Sequence, residues 1–277
     1  MLKILVTPPV TAEHKQLLEA AGGLEAEFIY KNADEVDAAL MQEVDILFGN
    51  VAPALVAEAK KLRLLQLFSA GTDGYIPALP EGCALTNTTG AFGLAISEHM
   101  LGMLLMLQKR LHQYRDNQNK HVWQDMGNVE GATIVVLGLG DIGGEFARKV
   151  KALGAYTIGV RRTDANKPEY IDELCLTQEL DHVLPRADVL AMSLPGTPET
   201  KHILDARRIA MLKNGAILLN VGRGSAIDLD ALADAIERRG IRAGLDVTSA
   251  SGAPALDAGA RADYAACFRL FPSAGNA

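Results

Sequence analysis

The sequence predicts an α/β protein of two doubly wound parallel-sheet domains. Three observations carry that prediction. Short apolar runs alternate with amphipathic ones along most of the chain, the pattern of strands and helices taken in turn. Hydrophobic residues make up 49% of the sequence and aromatics only 5%. Ala, Leu, Val and Ile therefore dominate, which suits helices packed on a parallel sheet. The length, 277 residues, exceeds one ordinary small core and argues for about two domains.

In the first domain, residues 2–6 read as a strand and residues 12–21 as a helix stopped by Gly22-Gly23. Residues 27–29 are a weak strand, 34–41 a helix, 44–48 a strand, 53–60 a helix, 64–68 a strand and 84–86 a fifth strand. Residues 91–117 form one long helical segment, apolar in its first half and charged in its second, crossing between domains before emerging into water. Residues 121–130 are polar and loop-like. Alternation then resumes: strands at 133–137, 156–160, 189–192, 216–220 and 242–247, and helices at 142–153, 172–179, 205–211 and 230–239. The expected boundaries are 1–92 and 93–277, with the crossing helix at 93–117 and an atypical tail at 248–277.

Composition excludes several classes. The net charge of −7 leaves no basic footprint for nucleic acid. Cys83, Cys175 and Cys267 are odd in number and far apart, so neither a disulfide framework nor a metal site is expected. The N-terminal run is broken too early by Pro8-Pro9 for a signal peptide, and the most apolar stretch, 94–107, carries Glu98 and His99. A soluble cytoplasmic protein is expected, without a membrane partner.

The chemistry is concentrated after the strand at 133–137. Gly138-Leu139-Gly140-Asp141-Ile142-Gly143 opens the helix that follows. In that strand–turn–helix setting the three glycines allow a tight turn, an approach of backbone to diphosphate, and close helix packing. Amides at a helix start carry partial positive charge and suit an anion. The next strand ends in Arg161-Arg162-Thr163, where an acidic acceptor for ribose hydroxyls would otherwise stand. Two guanidiniums and a hydroxyl are all donors and fit a 2′-phosphate. NADP(H) is therefore expected, with NAD(H) the alternative.

Several further stretches resemble the D-isomer-specific 2-hydroxyacid dehydrogenases, in particular the glyoxylate/hydroxypyruvate reductase type. These are Ser69-Ala-Gly71-Thr72-Asp73, Thr86-Asn-Thr-Thr-Gly90 followed by Ser97-Glu-His99, Ser193-Leu194-Pro195 with Thr197 and Thr200, Asn220-Val221-Gly222-Arg223-Gly224, and Ala243-Gly-Leu-Asp246-Val247. The resemblance covers roughly residues 1–247. It implies a flavodoxin-like substrate domain followed by a Rossmann dinucleotide-binding domain, and hydride transfer between a nicotinamide and a small 2-keto or 2-hydroxy acid. It further implies that Arg223 holds the substrate carboxylate and polarises the keto oxygen, with amides of Gly71 and Thr72 on the same carboxylate. Leu194, Pro195 and Thr200 would lie beside the adenosine, Val221 and Gly222 against the cofactor, and Asp246 on the nicotinamide carboxamide. A homodimer is the implied assembly. His99 matches a structural position in the family and reads as a satisfied core or interface histidine.

The resemblance fails in the tail. Its proton donor, a histidine partnered by a glutamate, would lie beyond Val247, yet no histidine follows His202 and no glutamate follows Glu237. A shift of reading frame and an authentic divergent tail both account for that departure. Either way the expectation is dinucleotide binding with impaired turnover, the alternative being a non-enzymatic binding or interaction protein on the same scaffold.

Overall fold

In the computed structural model, which describes residues 1–22, 25–118, 126–164 and 166–248, the alternation resolves into two all-parallel sheets. The chain divides into two units, 1–92 and 93–277.

The first unit's strands are β1 (Leu2–Val6), β2 (Ala26–Tyr30), β3 (Ile46–Phe48), β4 (Leu64–Gln66) and β5 (Ala84–Thr86). They lie in the order β2-β1-β3-β4-β5, which places a topological switch between β1 and β3. Its helices are α1 (Ala12–Gly22), α2 (Ala38–Met41) and α3 (Pro53–Ala57). Leu5, Leu47 and Leu65 from the strands and Met41 and Val56 from the helices form its core.

The second unit begins with α4 (Gly93–Gln108) and α5 (Leu111–Asn117). Then come β6 (Thr133–Leu137), α6 (Asp141–Ala152), β7 (Tyr156–Arg161), β8 (Glu173–Leu176), α7 (Leu180–Val183) and β9 (Val189–Met192). The described chain closes with α8 (Ala206–Met211), β10 (Ile217–Asn220), α9 (Leu229–Arg239) and β11 (Arg242–Leu245). The order β11-β10-β9-β6-β7-β8 is that of a doubly wound dinucleotide-binding sheet, reversing between β6 and β9. Separate apolar clusters cover its two faces: Phe146 and Leu104 on one, Leu218 and Leu232 on the other. The fold class expected from the sequence is the one observed.

Three elements differ from expectation. Residues 172–179 are not a helix: they give β8, paired in parallel with β7, and then a 3-10 turn, Thr177–Glu179. The segment 34–41 is broken because Val36 is extended (ψ 125°) and buried, separating the turn Ala33–Glu35 from α2, which Asp37 caps through Leu40 N. The long helix 91–117 is interrupted at Arg110, which adopts φ 50°. There Gln108 Nε2 donates to Asn128 O (2.7 Å) and Lys109 Nζ to Gly127 O (2.9 Å), turning the last residues of α4 toward 127–128. The polar segment 121–130 is described only from 126 onward, and the tail from 249 lies outside the described residues. Among the described residues no helix is long and apolar enough to cross a membrane.

Candidate functional site

At the carboxyl end of the second unit's sheet, the loops after β6, β9 and β10 lock together. Gly138 takes φ +99°, turning the chain out of β6, and its amide donates to Val160 O (2.9 Å). Ser193 Oγ donates to Gly138 O (3.1 Å) and so ties the β9 loop to that turn. A Cβ on Gly143 would overlap Gly138 O and stand 2.8 Å from Ser193 Oγ. A Cβ on Gly222 would stand 2.6 Å from Leu194 N. Beside Gly140, by contrast, there is open space. Two of the glycines thus permit close packing of backbone, and the third leaves room for a ligand to approach.

The first intrahelical bond of α6 runs from Gly144 N to Gly140 O (2.8 Å). The amides of Asp141, Ile142 and Gly143 therefore project from the helix start, where they and the helix dipole favour an anion. The Asp141 carboxylate lies against Gly93 at the start of α4, where a Cβ would stand 2.5 Å from Asp141 Cγ. Leu139 packs over β7, where Gly159 has no side chain to obstruct it.

Arg161 ends β7, and its Nη2 donates to Asn166 O (3.2 Å). Arg162 and Thr163 follow, both exposed. In the β9 loop, Leu194 is half-buried and Pro195 exposed. Thr200 Oγ1 donates to Pro195 O (2.7 Å) and accepts from Thr197 N (2.9 Å), closing that loop on itself. After β10, Asn220 shapes the next turn: its Oδ1 accepts from Gly222 N (3.0 Å) and its Nδ2 donates to Arg223 O (3.0 Å). Val221 is buried, and Arg223 is half-buried with Nη1 donating to Gly222 O (2.9 Å). Asp246 follows β11, and its amide donates to Asn220 O (3.0 Å).

In the first unit, Gly71 and Thr72 are half-buried in the loop after β4. Asn50, after β3, donates from Nδ2 to Ser69 Oγ (2.9 Å) and accepts at Oδ1 from Phe68 N (2.8 Å). Ser69 Oγ in turn donates to Gly71 O (2.9 Å), and Asn87 Nδ2 to Ala70 O (2.8 Å). This net fixes the loop without using the amides of Gly71 and Thr72.

Sequence reasoning passed over two contacts in the second unit. The first is the Ser193 clasp. The second is His99, whose Nε2 lies 3.7 Å from Asp246 Oδ1. It is half-buried beside a carboxylate at the end of β11 rather than sealed in the core. A cavity of about 430 Å³ lined by Gln108, Glu130, Lys213 and Arg242 opens at the amino ends of the same strands. Ligands of doubly wound sheets bind at the carboxyl ends, so that cavity is not the dinucleotide site.

The family model for the NAD binding domain of D-isomer specific 2-hydroxyacid dehydrogenases matches residues 101–260. The chain is 28% identical over 263 residues to D-3-phosphoglycerate dehydrogenase of Methanocaldococcus jannaschii, covering 89% of this chain and 49% of that protein. It thus spans about half the length of that relative. It is also 28% identical over 262 residues to hydroxypyruvate reductase of Thermotoga maritima, covering 88% of this chain and 82% of that one. Among solved structures, a D-isomer specific 2-hydroxyacid dehydrogenase family protein from Aeromonas salmonicida subsp. salmonicida superposes with a TM-score of 0.79 at 32% identity, covering 93% of this chain and 84% of that chain.

Proposed function

The chain belongs to the D-isomer specific 2-hydroxyacid dehydrogenases, and on that premise we propose that it transfers hydride between NADPH and a small 2-keto acid, with slow turnover. One observation carries the reading: the locked glycine loops at the carboxyl ends of β6, β9 and β10, with open space at Gly140 and three amides projecting from the start of α6. A diphosphate fits that cradle.

When bound, the nicotinamide supplies or accepts the hydride. The residues of this chain do the rest. The 141–143 amides hold the diphosphate. Arg161, Arg162 and Thr163 at the end of β7 donate to a 2′-phosphate, which a guanidinium grips with a fork of hydrogen bonds. Leu194, Pro195 and Thr200 flank the adenosine side, and Val221 and Gly222 face the cofactor. Arg223 directs its guanidinium to the substrate carboxylate and the keto oxygen, where charge develops as hydride arrives. Gly71 and Thr72 offer amides to a carboxylate. Asp246 accepts from the carboxamide.

The alkoxide formed at the keto carbon must gain a proton. A positioned acid contributes roughly 10²–10⁴-fold, and residues 248–277 hold neither histidine nor glutamate. Slow turnover follows. The same observation favours a second reading, dinucleotide binding without turnover. The family's homodimer is carried over as part of the proposal.

Calorimetric titration with NADPH and NADH, followed by assays with glyoxylate and hydroxypyruvate, tests each part. Expected are tighter binding of NADPH and rates well below those of a complete active site. Heat with neither coenzyme overturns the reading. Ordinary rates overturn the slow-turnover part alone.

A further inference from the structure

The geometry points to His99 as a positioning residue for the nicotinamide end of the site, acting through Asp246. His99, Met103 and Leu107 are spaced at i, i+4 and i+8 along α4 and share one stripe of the helix. That stripe lies along β11. Gly244 has no side chain, and a Cβ there would stand 3.3 Å from Met103 Sδ and 3.4 Å from Leu107 Cδ1. The close approach brings the next residue of the stripe, His99, to the carboxyl end of β11, where its Nε2 stands 3.7 Å from Asp246 Oδ1. Both side chains keep some exposure, 22% and 31%, so the pair is neither sealed in the core nor a freely solvated surface contact.

Strand order says which half of the dinucleotide meets this pair. The diphosphate cradle sits at β6 and α6. Arg161 ends β7 on one side of β6, whereas Asn220 and Asp246 follow β10 and β11 on the other. With the adenosine on the β7 side, the nicotinamide falls on the β10–β11 side. Asp246 is fixed at its backbone by Asn220 O, but its carboxylate still turns about the side-chain bonds. At 3.7 Å the His99 contact is a polar approach longer than a hydrogen bond; it biases that rotation at Oδ1 and leaves Oδ2 to accept from the carboxamide. The inference rests on the dinucleotide reading above.

The test compares NADPH with 2′-phospho-ADP-ribose, the same molecule without nicotinamide, by calorimetry on the full chain. NADH with ADP-ribose is run as the parallel pair. His99→Ala is expected to weaken NADPH by up to about tenfold, as the Asp246–carboxamide hydrogen bond loses its orientation, and to leave the nicotinamide-free ligand unchanged. His99→Gln, which keeps an N–H near Oδ1, is expected to recover most of the loss. In an Asp246→Asn background, His99→Ala is expected to add nothing further. Equal weakening of both ligands would show a structural role and overturn the inference, as would no weakening of either. Failure of the unaltered protein to bind any of the four ligands would instead bring down the dinucleotide reading itself, and this inference with it.

Discussion

Single residues carry the proposed cradle. Gly143→Ala puts a Cβ into Gly138 O and close to Ser193 Oγ, and backbone atoms cannot swing aside as a side-chain tip can. The expected cost is about 1–3 kcal/mol of stability, read as a lower urea midpoint, together with at least a tenfold loss of NADPH affinity. Gly140→Ala meets open space, so its stability should hold while affinity falls; equal stability losses at the two sites would refute the division of roles. At the end of β7, Arg161→Asp removes a fork of donors and adds a charge that repels a 2′-phosphate, so the preference for NADPH over NADH should drop by about 10–100-fold. Unchanged preference would end the NADPH assignment. These residues stand out in the sequence because their signal is local: three glycines directly after an apolar run, two arginines directly after the next. The contacts of Ser193 and His99 do not. Their partners, Gly138 and Asp246, lie far along the chain, and only the folded sheet brings them close.

At the scale of elements, the sequence conveyed period but not pairing. The stretch 172–179 joins directly to α7, so its apolar residues fit a helical period as well as an alternating one. Tertiary contacts settle the choice. Asp172 accepts from Thr157 N (2.8 Å) and from Lys151 Nζ, which fixes the register at which β8 enters beside β7. The break at Arg110 was equally hidden, because the side chains that turn the chain there reach to Gly127 and Asn128. Helix contacts also set a pH dependence. Arg207 and Arg208 on α8 hold the Asp181 carboxyl, on α7, down from 3.8 to about 2. A carboxylate with a depressed folded value stabilises the fold above its unfolded value, and that stabilisation is lost as pH falls through the folded one. The α7–α8 contribution should therefore be intact at pH 5 and fade between pH 4 and 2. Urea midpoints of the unaltered chain and of Asp181→Asn should converge over that window. A constant difference between them would show that the arginines do not act through this charge.

For the whole molecule, two sheets with separate apolar cores make a prediction about where a ligand's stabilisation goes. The first unit's core is built around Leu47 and Leu65. The second has a cluster on each face of its sheet. A dinucleotide that binds only the folded second unit stabilises that unit by mass action, about 2.7 kcal/mol at a hundredfold excess over Kd. Hydrogen exchange should register this as slowed exchange in residues 133–143, 189–195 and 217–223, with residues 1–92 unaffected by NADPH alone. Adding glyoxylate or hydroxypyruvate to the NADPH-saturated protein should then slow exchange in the loop holding Gly71 and Thr72, whose amides the Asn50–Ser69 net leaves unused. That second step tests the keto-acid site: a dinucleotide-binding protein without one would show the first protection pattern and never the second, whereas turnover is read by the keto-acid assays. Protection appearing first in residues 1–92 would place the dinucleotide in the other unit and reverse the roles assigned to the two sheets.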